Sequence, residues 1–179
     1  MSVYAITIPC FAQMLNTLKG LLAKGEAHAK ALAFDPQNLL DSRLAPDMHT
    51  LATQVRYACT QAREAVDRLS GVSVSTLETP GSMSAAVGLI DQTLNFLAEA
   101  DRNVIDGRAG HLITIELPGG IAFEMTGNEY AVNWATPQFY FHLMTAYSIL
   151  RHNGVPLGKA DYVPHMFAYL RMQGKSLST

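Results

Sequence analysis

Apolar residues recur at spacings of three and four along four stretches of the chain, the clearest of which spans residues 126–154. This periodicity is typical of a helix that buries one face. Thr126 and Glu129 fit the capping box that marks a helix start, while Asn153-Gly154 followed by Pro156 marks its end. The predicted inward face of this fourth helix comprises Phe139, His142, Leu143, Ala146, Ile149 and Leu150.

Three earlier stripes predict the other helices. The first helix is expected to begin near Thr7-Ile8-Pro9, because proline is tolerated in a first turn, and to end near Leu32. The second is expected to begin at about Asp47, which can cap it, and to end at Ser70-Gly71. The third is expected over residues 84–102, and shorter helical segments over residues 37–42 and 163–172.

Proline and glycine modify two of these helices. Pro137 removes a backbone donor from the fourth helix and crowds the preceding turn, so we expect a kink there or two abutting helices. Gly20 and Gly25 are expected to weaken the first helix and to allow another helix to approach closely.

One segment breaks the helical pattern and predicts a β-hairpin. Residues 111–117 are rich in β-branched side chains, Pro118-Gly119-Gly120 forms a turn, and residues 121–125 follow as the second strand. The fold expected is mainly all-α: a four-helix bundle in one domain over residues 1–179, with this hairpin inserted between the third and fourth helices as a flap at one end.

Composition and charge exclude some functional classes. The net charge of -2 and the scattered 13 Lys and Arg residues give no basic patch for nucleic acid. No apolar run reaches the roughly 18 residues of a membrane span, and the N-terminus does not resemble a signal peptide, so we expect a cytoplasmic protein with no membrane partner. Cys10 and Cys59 are interpreted as free, buried thiols.

Several strings resemble a known family. They are IPCFAQMLNTLKGLLAKGEAHA in the first helix, LAPDMHTLATQV before the second, TGNEY, and above all FYFHLMTAYSILRHNGVPLGK in the fourth. Through them nearly the whole chain resembles a functionally uncharacterised bacterial domain-of-unknown-function family within the DinB-like (DinB/YfiT) superfamily. The resemblance implies a bundle of the up-down-down-up type and often a homodimer, and it implies no particular activity.

The resemblance also bears on metal binding. Many DinB-like proteins bind zinc or nickel through three histidines, one from the second helix and two from the fourth, four residues apart. His49 and His142 lie where two of these ligands would fall, but Ala146 stands four residues after His142 and cannot ligate. The implied metal site is therefore degenerate in this chain.

The residues leave alternatives open for three histidines. His142 is interpreted first as a core histidine satisfied by a hydrogen bond, and second as a surviving metal ligand or acid-base group. His49 is interpreted as a boundary residue that would face His142 if the second and fourth helices are neighbours. His28 lies near the inward face of the first helix and is the third candidate ligand.

Three functions follow as hypotheses. The first is a DinB-like protein of unknown specific function that binds a small ligand or a partner, with a degenerate metal site. The second is a metal-dependent thiol transferase or hydrolase that uses His49 and His142. The third is a structural or stress-associated interaction protein. The aromatic residues of the fourth helix, which include Trp134, Tyr140 and Tyr147, favour packing over a ligand pocket.

Overall fold

A computed structural model, which describes residues 2–171, has the expected architecture of four long helices and one hairpin. None of the described helices is both long and apolar enough to cross a membrane. In chain order the elements are α1 (Val3–Ala31), α2 (Gln37–Asp41), α3 (Leu51–Ser70), α4 (Met83–Ala98), α5 (Arg102–Gly107), β1 (Leu112–Leu117), β2 (Ile121–Thr126), α6 (Gly127–Tyr130), a π-helical segment (Ala131–Ala135), α7 (Thr136–His152), α8 (Lys159–Tyr162) and a 3₁₀ helix (Pro164–Tyr169).

Side-chain contacts fix the directions of the long helices. The α1 and α7 helices run the same way, because Phe11 packs against Phe139 with ring centroids 4.5 Å apart and Gly25, further along α1, approaches Leu150. The α4 helix runs opposite to α1: Lys19 pairs with Asp91 at 2.6 Å, while Gly25 lies near Met83 at the start of α4.

The α3 helix runs opposite to α7 and therefore parallel to α4. Gln54, near the start of α3, contacts His142 in α7, while Glu64 and Arg68, near its end, act electrostatically on Tyr130 in α6. The order is thus up, down, down, up. Parallel neighbours cannot be joined by a tight turn, and residues 71–82 form the long extended connection that this topology requires.

The start of α1 differs from the prediction. The helix begins at Val3, so Pro9 lies in its interior. Ser2 caps it by accepting the amide hydrogen of Ala5 at 3.1 Å, and Asp106 accepts the amide hydrogen of Tyr4 at 2.9 Å. These acceptors satisfy donors of the first turn and extend the helix past the point where proline alone predicted its start.

Other helix boundaries also need correction. The α3 helix begins at Leu51 with Thr50 as its cap, not at Asp47, so His49 precedes the helix. The third long helix ends at Ala98, and Asp101 starts the separate helix α5 by accepting the amide hydrogen of Asn103 at 2.7 Å. Asp101 and Asp106 are thus both capping residues, each accepting an amide hydrogen in the first turn of a helix.

The C-terminal segment departs from the single helix expected over residues 163–172. The helix α8 ends at Tyr162, before this segment begins, and within the segment Pro164–Tyr169 form a 3₁₀ helix. Met172 lies outside the described residues.

The fourth helix has the predicted start and a distinctive interruption. Glu129 accepts the amide hydrogen of Thr126 at 2.8 Å, and Thr126 accepts that of Glu129 at 3.3 Å, which confirms the capping box. The interruption expected at Pro137 takes the form of the π-helical segment, in which the Thr136 amide bonds to the Ala131 carbonyl. The wider turn accommodates the proline ring without ending the helix.

The hairpin is confirmed as antiparallel, with Leu112 opposite Thr126 and Leu117 opposite Ile121. Its turn uses Gly119 and Gly120 at φ values of 85° and 78°, a conformation that favours glycine. Of the first strand, Ile113 and Ile115 are buried, whereas all of β2 is half-buried or exposed. Arg68 of α3 donates to the Thr114 carbonyl at 3.2 Å and ties the hairpin to the bundle.

Candidate functional site

The structure brings two of the three candidate histidines against the same ring. His142 is half-buried on α7 and stacks on Tyr57 of α3, with ring centroids 4.8 Å apart. His49 is exposed in the connection before α3 and packs on Tyr57 with centroids 5.2 Å apart. The α3 and α7 helices are neighbours, which is the condition under which His49 would face His142, and Tyr57 contacts both histidines.

His28 lies elsewhere. Its ring packs edge-on against Phe34, and its Nε2 atom lies 3.6 Å from the position that a Cβ would take on Gly154. Gly154 follows the end of α7, and the ten residues from His142 to His152 span about 15 Å of helix axis. The three histidines therefore do not converge on one point.

The set of three histidine ligands expected of a DinB-like metal site is incomplete in this chain. Ala146 is fully buried in the core, where the resemblance would place the third histidine. Within residues 2–171 no group of three or more His, Cys, Asp and Glu side chains is placed to hold a metal ion. His49 and His142 alone fall short of the three protein ligands of a catalytic zinc site, so the residues do not fit that site.

Gln54 determines which nitrogen of His142 holds the proton. Its amide nitrogen donates to the His49 carbonyl at 3.4 Å, which turns its Oε1 atom toward His142 Nδ1, 2.8 Å away. An amide oxygen only accepts hydrogen bonds, so Nδ1 must be the donor. The neutral ring then has its lone pair on Nε2, for which the described residues provide no hydrogen-bond partner.

The surroundings of His142 favour its neutral form. Burial, followed by the charges of His49 and Arg56, lowers the pKa of His142 to about 4. At neutral pH the side chain is therefore an uncharged imidazole that can accept a hydrogen bond or act as a base through Nε2. The interpretation as a histidine satisfied by a hydrogen bond is correct for Nδ1 and leaves Nε2 available.

A pH dependence of stability follows from this lowered pKa. Between about pH 4 and pH 6.5 an unfolded histidine binds a proton that the folded one does not, so the free energy of unfolding falls as pH is lowered through this window. After solvent screening is allowed for, we expect about 1–2 kcal/mol from His142. His142→Asn should keep a donor to Gln54 and remove this pH-dependent part, as measured by urea unfolding at pH 4.5 and pH 7. An NMR titration of His142 near 6.5 would contradict the expectation.

Four further residues complete the site, and the sequence did not assign them to it: Gln54, Arg56, Tyr57 and Phe141. Gln54 is only 2% exposed, and its place as a polar residue beside the apolar stripe of α3 is the one sequence signal that could have identified it. The Arg56 guanidinium lies over the Tyr57 ring at 4.2 Å, and Phe141 packs edge-on against His142 at 5.3 Å. Nothing in the sequence marked Tyr57, because its contact with His142 arises only where α7 packs beside α3.

The aromatic residues of the fourth helix divide between core and surface. Phe139 is fully buried, Trp134, Tyr140 and Tyr147 are half-buried against the core, and Phe141 is 57% exposed. Their rings point in different directions around the helix, as expected from its geometry. Packing accounts for most of them, and only Phe141 contacts the candidate site.

The two thiols are free, and one is inert. Cys59 is buried on α3 and interacts with Thr93, and burial raises the pKa of its thiol to about 12. It is therefore protonated at neutral pH and unsuited to nucleophilic chemistry. Cys10 is half-buried, whereas the sequence predicted a buried thiol.

Comparisons with known proteins agree with this architecture. The family described as "Domain of unknown function (DUF1993)" matches residues 3–163. A crystal structure of a DinB family member protein from Shewanella denitrificans superimposes with a TM-score of 0.82 and 34% sequence identity, covering 97% of this chain and 94% of that one. The search of curated proteins found no match.

Proposed function

This chain belongs to DUF1993, a DinB-like family of unknown function, and we propose that it binds a small molecule beside His142, between α3 and α7. The hydrogen bond from His142 Nδ1 to Gln54 is the observation behind the proposal. It fixes the tautomer of the imidazole, and because burial keeps the ring neutral, the Nε2 lone pair can accept a hydrogen bond from a ligand.

The surrounding side chains support this role. Tyr57 and Phe141 add aromatic surface on either helix, and Arg56 places a cation over Tyr57. Apolar and aromatic surface with a few fixed polar groups is typical of small-molecule sites. Because Gln54 is itself almost completely buried, the orientation of His142 is set before any ligand arrives.

Fragment binding monitored by NMR tests the proposal. A library of small polar aromatic compounds should include binders that shift the His142 Nε2 resonance. His142→Asn retains a donor for Gln54 but loses Nε2, so it should weaken binding by about 3- to 10-fold. His152→Asn is the matched control, because His152 is exposed at the end of α7, and it should bind like the native chain. No shift at His142 or Tyr57 with any compound would contradict the proposal and favour a structural or stress-associated interaction protein.

One observation favours the metal-dependent alternative, a thiol transferase or hydrolase that uses His49 and His142. Metal-binding histidines usually donate their other N–H group to an acceptor, as His142 does to Gln54. The same NMR experiment with ZnCl₂ or NiCl₂ and untagged protein separates the two functions. Stoichiometric binding that is lost in His49→Ala would support the metal; the absence of any shift would argue against it.

A homodimer remains a proposal. Phe141 and Met144 are 57% and 41% exposed on the outer side of α7, and apolar side chains of this size support a contact between two copies. Analytical ultracentrifugation that finds only monomer at high micromolar concentration would argue against it.

A further inference from the structure

The outward face of α3 is unusually polar for a surface that is so little exposed. No residue of Leu51–Ser70 is exposed, although this face includes a line of polar side chains. We call it the α3 polar strip and define it as Arg56, Thr60, Arg63 and Asp67. Their spacing of three and four residues places them on one side of the helix.

Several polar atoms of the strip have no partner within the described chain. The Nε atoms of Arg56 and Arg63, the hydroxyl of Thr60 and the Oδ2 atom of Asp67 are all buried without a hydrogen bond. Buried polar groups are normally paired, so these atoms need water or a ligand. Asp67 as a whole is only 5% exposed, so its unpaired oxygen has little access to water.

Both arginines of the strip are held in place by aromatic rings. The guanidinium carbon of Arg56 lies 4.2 Å from the centre of the Tyr57 ring, and that of Arg63 lies 4.1 Å from the centre of Phe96 on α4. Within residues 2–171 neither arginine forms a salt bridge. In contrast, Arg68 on the same helix pairs with Glu64 at 3.3 Å.

We propose that Arg56 and Arg63 bind the two ends of an elongated organic dianion that lies along α3 across Thr60. The proposal rests on the ligand-binding role proposed above, since Arg56 contacts Tyr57 and Tyr57 contacts His142. The two arginines are seven positions apart, which corresponds to about 10 Å along the helix axis. Planar guanidinium groups bind carboxylate or phosphate oxygens in pairs, and Thr60 lies between the two arginines along the helix, beside the apolar middle of the ligand.

The dicarboxylate suberate is a suitable probe, with succinate as a short analogue and suberamide as a neutral one. Isothermal calorimetry should find that suberate binds more tightly than succinate, that suberamide binds less well than both, and that added NaCl weakens the binding. Hexane-1,6-bisphosphonate in a parallel series shows whether carboxylate or phosphate oxygens are preferred, and tighter binding of either dianion supports the proposal.

Variants locate the binding. Arg56→Gln and Arg63→Gln should each weaken suberate binding about tenfold, and Arg56→Lys and Arg63→Lys, which keep the charge, should weaken it less. Arg43→Gln removes the same charge from an exposed position in the connection before α3 and should have no effect. The lysine variants also keep the test valid if a glutamine variant does not fold.

Two results would overturn the inference. One is equal binding of suberate by the native chain, Arg43→Gln and the Arg56→Gln/Arg63→Gln double variant. The other is equal affinity for succinate and suberate, which would mean that only one anionic group is bound. If neutral compounds shift His142 while no dianion binds, the proposed ligand site remains and the ligand class is wrong; if neither binds, both proposals fail.

Discussion

Alanine in place of Phe139 is expected to lower the free energy of unfolding by about 3–5 kcal/mol. Phe139 is fully buried, and its ring lies against Phe11 of α1 at 4.5 Å and edge-on to Tyr140 at 5.4 Å. Removing it leaves a cavity where the two parallel helices meet. Since single domains are stable by only about 5–15 kcal/mol, this one change should remove a large part of the total.

Phe141→Ala is the matched control for this change. It removes the same side chain two residues away, but Phe141 is 57% exposed, so the loss should stay below about 1 kcal/mol. Urea unfolding monitored by circular dichroism measures both variants. Equal losses at the two positions would contradict the placement of Phe139 in the core and Phe141 at the surface.

Alanine in place of Gly127 is expected to destabilise the fold by about 1–3 kcal/mol or more. A Cβ at this position would lie 2.7 Å from the Arg108 carbonyl oxygen and 3.3 Å from the Ala109 Cα atom. Both are backbone atoms, so no side-chain rotation relieves the clash. The connection is also fixed there, because Asn128 donates to the Ala109 carbonyl at 2.8 Å and Gly127 to the His111 carbonyl at 2.9 Å.

Gly20→Ala should have the opposite effect on stability from Gly127→Ala. Nothing lies within 4 Å of a Cβ at Gly20, which is exposed within α1, so alanine should stabilise the helix by about 0.5–1 kcal/mol. Thermal unfolding of both variants gives the comparison. A stabilised Gly127→Ala variant would mean that the connection after α5 does not cross the start of α6 as closely as described.

The two glycines of α1 differ in a way that the sequence did not predict. Both Gly20 and Gly25 were expected to allow a neighbouring helix to approach, and this holds only for Gly25, whose Cβ would lie 3.0 Å from Leu150. The two positions are alike in the sequence because each interrupts the same helix. Which one meets α7 depends on where the two helices cross, and the local sequence does not contain that information.

The candidate site likewise contains residues that the sequence identified and residues that only the tertiary structure brought together. Its histidine on α7 was predicted from the apolar spacing and the family strings, and the missing companion at Ala146 could be read directly from the sequence. The partners of His142 could not, since Gln54 and Tyr57 precede it by more than eighty residues and meet it only because α3 and α7 pack side by side. Likewise, the spacing of residues in the sequence does not show whether His28 or His49 lies near His142.

The sequence by itself determined the class of fold, the hairpin and the capping box at Thr126, because these depend on periodicity and on hydrogen bonds between residues close in the chain. It misplaced the start of α1, where Asp106 supplies a cap from more than a hundred residues away. Only the tertiary structure decided that His142 is a neutral acceptor with a fixed tautomer and that, within residues 2–171, Arg56 and Arg63 of α3 form no salt bridge. Protonation and pairing depend on burial and on neighbours from other helices, and these exist only once the bundle has assembled.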